Sequence, residues 1–142
     1  MLIGGGVGIN PLYSIFQHSA ELLSAEKGSA PTQVSLLYSA ATAEELIFRP
    51  DIEEHCRQLQ TFQAEFFVTR EGRESEGGGG EVNYRRITKA DLEKTLSSGT
   101  HVRERERTVC YLCGPPDMVD QLRDWLLQLN VREENIRYEL WW

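Results

Sequence analysis

The chain has 142 residues, enough for one packed core; its 40% hydrophobic content is a little low for a compact globule, and its 26% charged content is typical of one. A net charge of −7 argues against nucleic acid as a partner, because a phosphate backbone needs a basic face. No run approaches the roughly 18 apolar residues of a membrane span, and no charged leader precedes an apolar stretch.

In chain order, Met1-Leu2-Ile3 reads as the end of a strand, an abrupt start expected of a segment from a longer polypeptide. GGGVGINP (4–11) follows directly. Asn10 is expected to cap a helix by accepting first-turn N–H groups, with Pro11 preset for the first helical position. Leu12, Ile15, Phe16, Ala20 and Leu23 then recur at helical spacing, and Gly28 with Pro31 ends the helix. QVSLLYS (33–39) is an apolar run suited to a buried strand. Thr42 is expected to cap a helix over 43–59, which Pro50 divides into two pieces. TFQAEFFVT (61–69) reads as a third strand.

REGRESEGGGGE (70–81) is charged, glycine-rich and apolar-free, hence a loop. Its GGGGE lacks the Lys and Ser/Thr of a phosphate-binding P-loop. Thr88, with Asp91 three residues on, forms a capping box for a short helix from Lys89 to about Leu96. HVRERERT (101–108) alternates in charge and suits a solvated connection. TVCYLC (108–113) makes a fourth strand, and Gly114-Pro115-Pro116 opens a helix with Met118, Val119, Leu122, Trp125, Leu126 and Leu129 as its apolar stripe. NIRYELWW (135–142) alternates as a last strand.

Strand and helix alternate throughout, and parallel returns require crossovers. The expected architecture is therefore one α/β domain over residues 1–142, a doubly wound, Rossmann-like sheet of five parallel strands. Ligands bind such sheets at the carboxyl ends of the strands, near the point where strand order reverses. GGGVG and CGPP both fall on that edge, so the two glycine turns are expected to be neighbours.

A glycine turn opening a helix lets the backbone approach a phosphate, which the helix dipole favours. The standard G-x-G-x-x-G fingerprint nevertheless fails here, because its third glycine would fall on Ile9 or Pro11. No acidic residue closes the second strand either. Taken alone, GGGVG is equally well a ligand-free strand-to-helix turn; the second turn in CGPPDM makes the combination more specific. Cys110-x-x-Cys113 lies in an apolar strand rather than at a helix start, which argues against a redox pair. Three cysteines without framework spacing fit a reducing, intracellular compartment. His18, His55 and His101 are too dispersed to suggest a metal site. Glycines after the first strand and Thr69 after the third argue against a phospho-receiver domain.

GGGVGINP, LLYSAATAEELIF, FFVTR, RRITKADL, YLCGPPDMV and YELWW, in this order, resemble the nicotinamide-binding domain of the ferredoxin–NADP reductase superfamily. Cytochrome b5 reductases and phenol-hydroxylase-type reductases belong to it, and some of its members are mitochondrial. The resemblance implies that Gly5, Gly6, Gly8 and Ile9, continued by Asn10 and Pro11, lie against a dinucleotide pyrophosphate. Asn10 departs from the commoner threonine. Cys113 would sit beside the nicotinamide or else be a buried strand residue, while Gly114, Pro115 and Met118 would shape the adenine and ribose side. Glu139 and Trp141 or Trp142 would serve at the flavin, or the tryptophans would pack against a neighbouring domain.

Nucleotide choice is expected after the third strand. Thr69-Arg70 resembles the Ser-Arg of NADP-using members, but Glu71, Glu74 and Glu76 oppose a second phosphate, which favours NAD(H) over NADP(H). The flavin-binding Arg-x-Tyr-Ser/Thr pattern is absent from the sequence. The resemblance therefore implies the nucleotide half of an oxidoreductase. FAD or FMN would be held by another domain in cis, and electrons would pass to an unidentified acceptor. A pyridine-nucleotide sensor without catalysis is the alternative.

Overall fold

The computed structural model describes residues 1–25, 33–71, 82–98 and 107–140. The elements are β1 (Leu2–Gly5), a 3-10 turn (Gly6–Gly8), α1 (Ile9–Ser24), β2 (Val34–Ala40), α2 (Arg49–Gln58), β3 (Phe62–Val68), β4 (Val82–Asn83), α3 (Lys89–Ser97), β5 (Cys110–Gly114), α4 (Pro116–Gln128), a second 3-10 turn (Glu133–Asn135) and β6 (Ile136–Leu140). The strands form one sheet in the order β4-β3-β2-β1-β5-β6, and every pairing is parallel. Strand order reverses between β1 and β5, which places the ligand edge there.

Successive strand residues point to opposite faces, so the core is two clusters. Leu2, Leu36, Tyr38, Phe66 and Val68 pack under α1 and α2 with Ile9, Leu12, Phe16 and Ile52. Ile3, Leu37, Phe67 and Leu112 pack under α3 and α4 with Leu92, Val119, Leu122 and Leu126. All seven residues of β2 are buried, as befits a strand covered on both faces. Each fully buried Leu, Ile or Phe contributes roughly 1.5–3 kcal/mol of transfer free energy.

Five strands are where the sequence places them, but the sheet has six. β4 is only two residues long, pairs with Phe66 and Phe67, and is too short for alternation to reveal. Pro50 does not divide a helix over 43–59. It stands in the first turn of α2, where its missing N–H costs nothing. Residues 41–48 form turns instead, held by Leu46 N–H to the Ala43 carbonyl (3.2 Å) and Arg49 N–H to the Leu46 carbonyl (2.9 Å). Thr42 therefore caps no helix.

Asn10 is not the cap of α1. The 3-10 turn runs into α1 through Gly8, whose backbone is already helical (φ −61°, ψ −9°). Asn10 lies inside the first turn and donates from Nδ2 to the Val7 carbonyl (2.9 Å). The capping box of α3 is present as expected: Asp91 accepts the Thr88 N–H at 2.7 Å. Most of the expected loop 70–81, most of the connection 101–108, and the stop at Gly28 and Pro31 lie outside the described residues.

Candidate functional site

The parallel pairing of β1 with β5 sets Gly4 beside Cys113 and brings the two glycine turns together. Their contact depends on missing side chains. A Cβ on Gly8 would run into the Cys113 carbonyl and lie 2.9 Å from the Gly114 nitrogen. A Cβ on Gly5 would meet Met118 Sδ at 2.5 Å and Pro115 Cδ at 3.3 Å. One on Gly114 would be 3.4 Å from both Gly5 Cα and Met118 Sδ. Gly6 differs: its φ is +55°, and nothing lies within 4 Å of where a Cβ would stand. The first turn thus has a packed side, Gly5 and Gly8, and one open left-handed residue, Gly6.

Ile9 is 1% exposed, and its N–H is directed to the Gly6 and Val7 carbonyls. Its side chain belongs to the core, while Val7, 65% exposed, forms the outer surface of the turn. Asn10 staples that turn through the Val7 carbonyl.

Cys113 and Glu139 are direct register partners on β5 and β6, so their Cα atoms stand about 5 Å apart on one face. Cys113 is 2% exposed and Glu139 is exposed. Beside them opens a cleft of about 530 Å³, walled by Pro11, Leu12 and Ile15 of α1, Tyr111 of β5 and Arg137 of β6. Tyr111 and Arg137 are also a register pair, two residues before Cys113 and Glu139. Sequence reasoning missed both, although the period of two along each strand puts them on that same face.

Cys110 and Cys113 face opposite sides of the sheet, in different core clusters, and all three cysteines are thiols. That geometry rules out an internal redox pair. Burial pushes the Cys110 thiol up from its ordinary pKa.

Thr69 and Arg70 follow β3 on the same edge, separated from β1 by β2, about 10 Å away. The Thr69 N–H and Oγ1 both donate to the Ala40 carbonyl (3.1 and 3.3 Å), and the Arg70 N–H donates to the Ala41 carbonyl (2.9 Å). The Arg70 side chain is exposed. Glu71 Oε2 accepts the Ala43 N–H, and Glu45 Oε2 accepts the Ala41 N–H, each at 3.0 Å. The Tyr38 hydroxyl donates to the Glu45 carbonyl at 2.8 Å, and burial raises its pKa to about 12. The loops after β2 and β3 are thereby fastened to each other. Glu74 and Glu76, and the terminal Trp141 and Trp142, lie outside the described residues.

Residues 2–124 match the family described as "Oxidoreductase NAD-binding domain". Oxidoreductase NAD-binding domain-containing protein 1 of Danio rerio is 35% identical over 146 residues, covering 100% of this chain and 52% of the relative. The chain spans about half the length of the curated relatives it matches. The fold is also that of the CS-b5R domains of human Ncb5or in its NAD+ form, with TM-score 0.76 and 18% identity over 96% of this chain and 35% of that one. The cytochrome b5 reductase domain of Ulva prolifera nitrate reductase has TM-score 0.73 and 23% identity, covering 97% of this chain and 47% of that one. Among the described residues, no helix is long and apolar enough to cross a membrane.

Proposed function

The chain belongs to the oxidoreductase NAD-binding domain family, and on that premise we propose that its two interlocked glycine turns hold NADH and present the nicotinamide to a flavin carried by another domain of a longer polypeptide. The observation that carries this reading is the joint itself. Two strand-ending turns meet at the reversal of strand order, with one open, left-handed glycine between packed ones. Gly6 gives the pyrophosphate a backbone surface without a side chain in the way, and the start of α1 adds a favourable dipole. Gly5, Gly8 and Gly114 supply the close packing that keeps this surface in place.

Bound there, the nucleotide supplies a hydride, two electrons with one proton, for transfer to FAD or FMN. The chain's part is orientation. Cys113 and Glu139, side by side on β5 and β6, form the nicotinamide end, with Pro11 on the opposite wall of the cleft. Pro115 flanks the ribose side. Trp141 or Trp142, following β6 in sequence, is assigned to cover the flavin ring. An electron acceptor of the heme or iron–sulfur class would complete the route. Three thiols suit a reducing compartment for it, a mitochondrial one included.

NADH is preferred over NADPH in this reading, because the Glu71 carboxylate, fastened to Ala43, holds negative charge beside Thr69 and Arg70. Titration of the chain with each nucleotide, followed by tryptophan fluorescence, tests the proposal. Saturable binding, tighter for NADH, is expected. No saturation by either nucleotide up to millimolar concentration would reject it.

A further inference from the structure

Met118 touches both glycine turns. Its side chain rises from the first turn of α4, is half-buried, and packs against the cluster under α3 and α4. Its sulfur lies 2.5 Å from where a Gly5 Cβ would be and 3.4 Å from the equivalent point on Gly114; its methyl lies 3.2 Å from the Gly5 point. The thioether therefore fills the notch left by two residues without side chains, one in each turn. Gly8 makes the other half of the joint, but there backbone meets backbone, at the Cys113 carbonyl. Met118 makes the tightest side-chain contact of the joint, with Pro115 Cδ next at 3.3 Å from the Gly5 point, and an unbranched, polarisable thioether suits so narrow a gap.

We infer that Met118 is a positioning residue. Its thioether spaces the first glycine turn from the second, and so sets the register between the pyrophosphate surface at Gly6 and the nicotinamide end at Cys113. Gly5 is then glycine because Met118 occupies its side-chain space, rather than because a phosphate needs it. The inference rests on the nucleotide reading above, but its contact is testable without any ligand.

A double-mutant cycle on the 142-residue chain separates the possibilities. Gly5→Ala should lower the melting temperature, and adding Met118→Ala should recover part of that loss, because the new methyl enters the vacated space. Where Gly5→Ala yields no soluble protein, soluble Gly5→Ala/Met118→Ala supports the same coupling. Additive losses, or failure of the double variant to fold, overturn it. The second readout compares NADH, which spans both turns, with ADP-ribose, which lacks the nicotinamide. Met118→Ala should weaken NADH about tenfold, or 1.4 kcal/mol, and ADP-ribose by about twofold at most. Met118→Leu, which conserves volume, should restore NADH affinity. Equal losses for the two ligands would mean general loosening and refute positioning. A wild-type chain that binds neither ligand rejects the nucleotide reading, and the melting cycle then still decides whether Met118 and Gly5 are coupled.

Discussion

Replacing Gly6 separates the cost of a backbone conformation from the loss of a ligand surface. At φ +55° an alanine pays for left-handed backbone, but its methyl meets nothing within 4 Å. The expected folding penalty is therefore the conformational one alone, about 1 kcal/mol, lowering the melting temperature by roughly 4 °C. Asparagine tolerates this backbone better, so Gly6→Asn should be no less stable than Gly6→Ala while placing a larger side chain on the surface. Binding should rank the other way. Either side chain stands between backbone and pyrophosphate, so NADH and NADPH should both weaken by at least about tenfold, 1.4 kcal/mol, with asparagine the worse. Thermal melting and fluorescence titration on the same samples give both numbers. Wild-type affinity in a folded Gly6→Asn variant would refute the assignment of Gly6 to the phosphate surface, and with it the meaning given to the open glycine.

Arg70→Gln should leave the melting temperature unchanged, since that side chain is exposed, and should weaken NADPH more than NADH if the guanidinium meets a 2′-phosphate; equal losses would reject that role. Asp91 gives a pH prediction. The Arg85 guanidinium at 2.6 and 2.7 Å, with Thr88, holds its pKa down at about 2, below the ordinary value of 3.8. A depressed carboxyl stabilises the fold above its unfolded pKa, by no more than about 2 kcal/mol here because the half-exposed Arg85 is screened by solvent, and that stability disappears as pH falls from about 4 through 2. Urea midpoints of wild type and Asp91→Asn should accordingly differ at pH 7 and converge near pH 2; a constant difference would show that the contribution is not ionic.

The glycines divide in a way that a motif alone conceals. The run GGGVG invites one explanation for every glycine, namely close approach of a phosphate. In the fold, Gly5 and Gly8 are hemmed in by Met118 and by the Cys113–Gly114 peptide, and Gly6 is the open one. Asn10 shows the same limit. Its residue type and its place before a proline suit a cap, but the 3-10 turn extends the helix backwards, and its side chain ties Val7 instead. Cys113 and Glu139 lie far apart in sequence yet meet as register partners, because β6 returns beside β5.

Local pattern was enough to determine the alternation of strands and helices, the buried character of QVSLLYS, the capping box at Thr88 and Asp91, and the position of both glycine turns after strands. These depend on periodicities of two and 3.6 residues and on hydrogen bonds that span a few residues, all written along the chain. Tertiary structure decided the rest. It set β1 against β5, interlocked the turns, sent Cys110 and Cys113 to opposite faces, added the two-residue β4, and opened a cleft between α1 and β6. Each of these depends on which distant backbone lies alongside, and strand order follows from how the two core clusters close over the sheet, which no short stretch of sequence encodes.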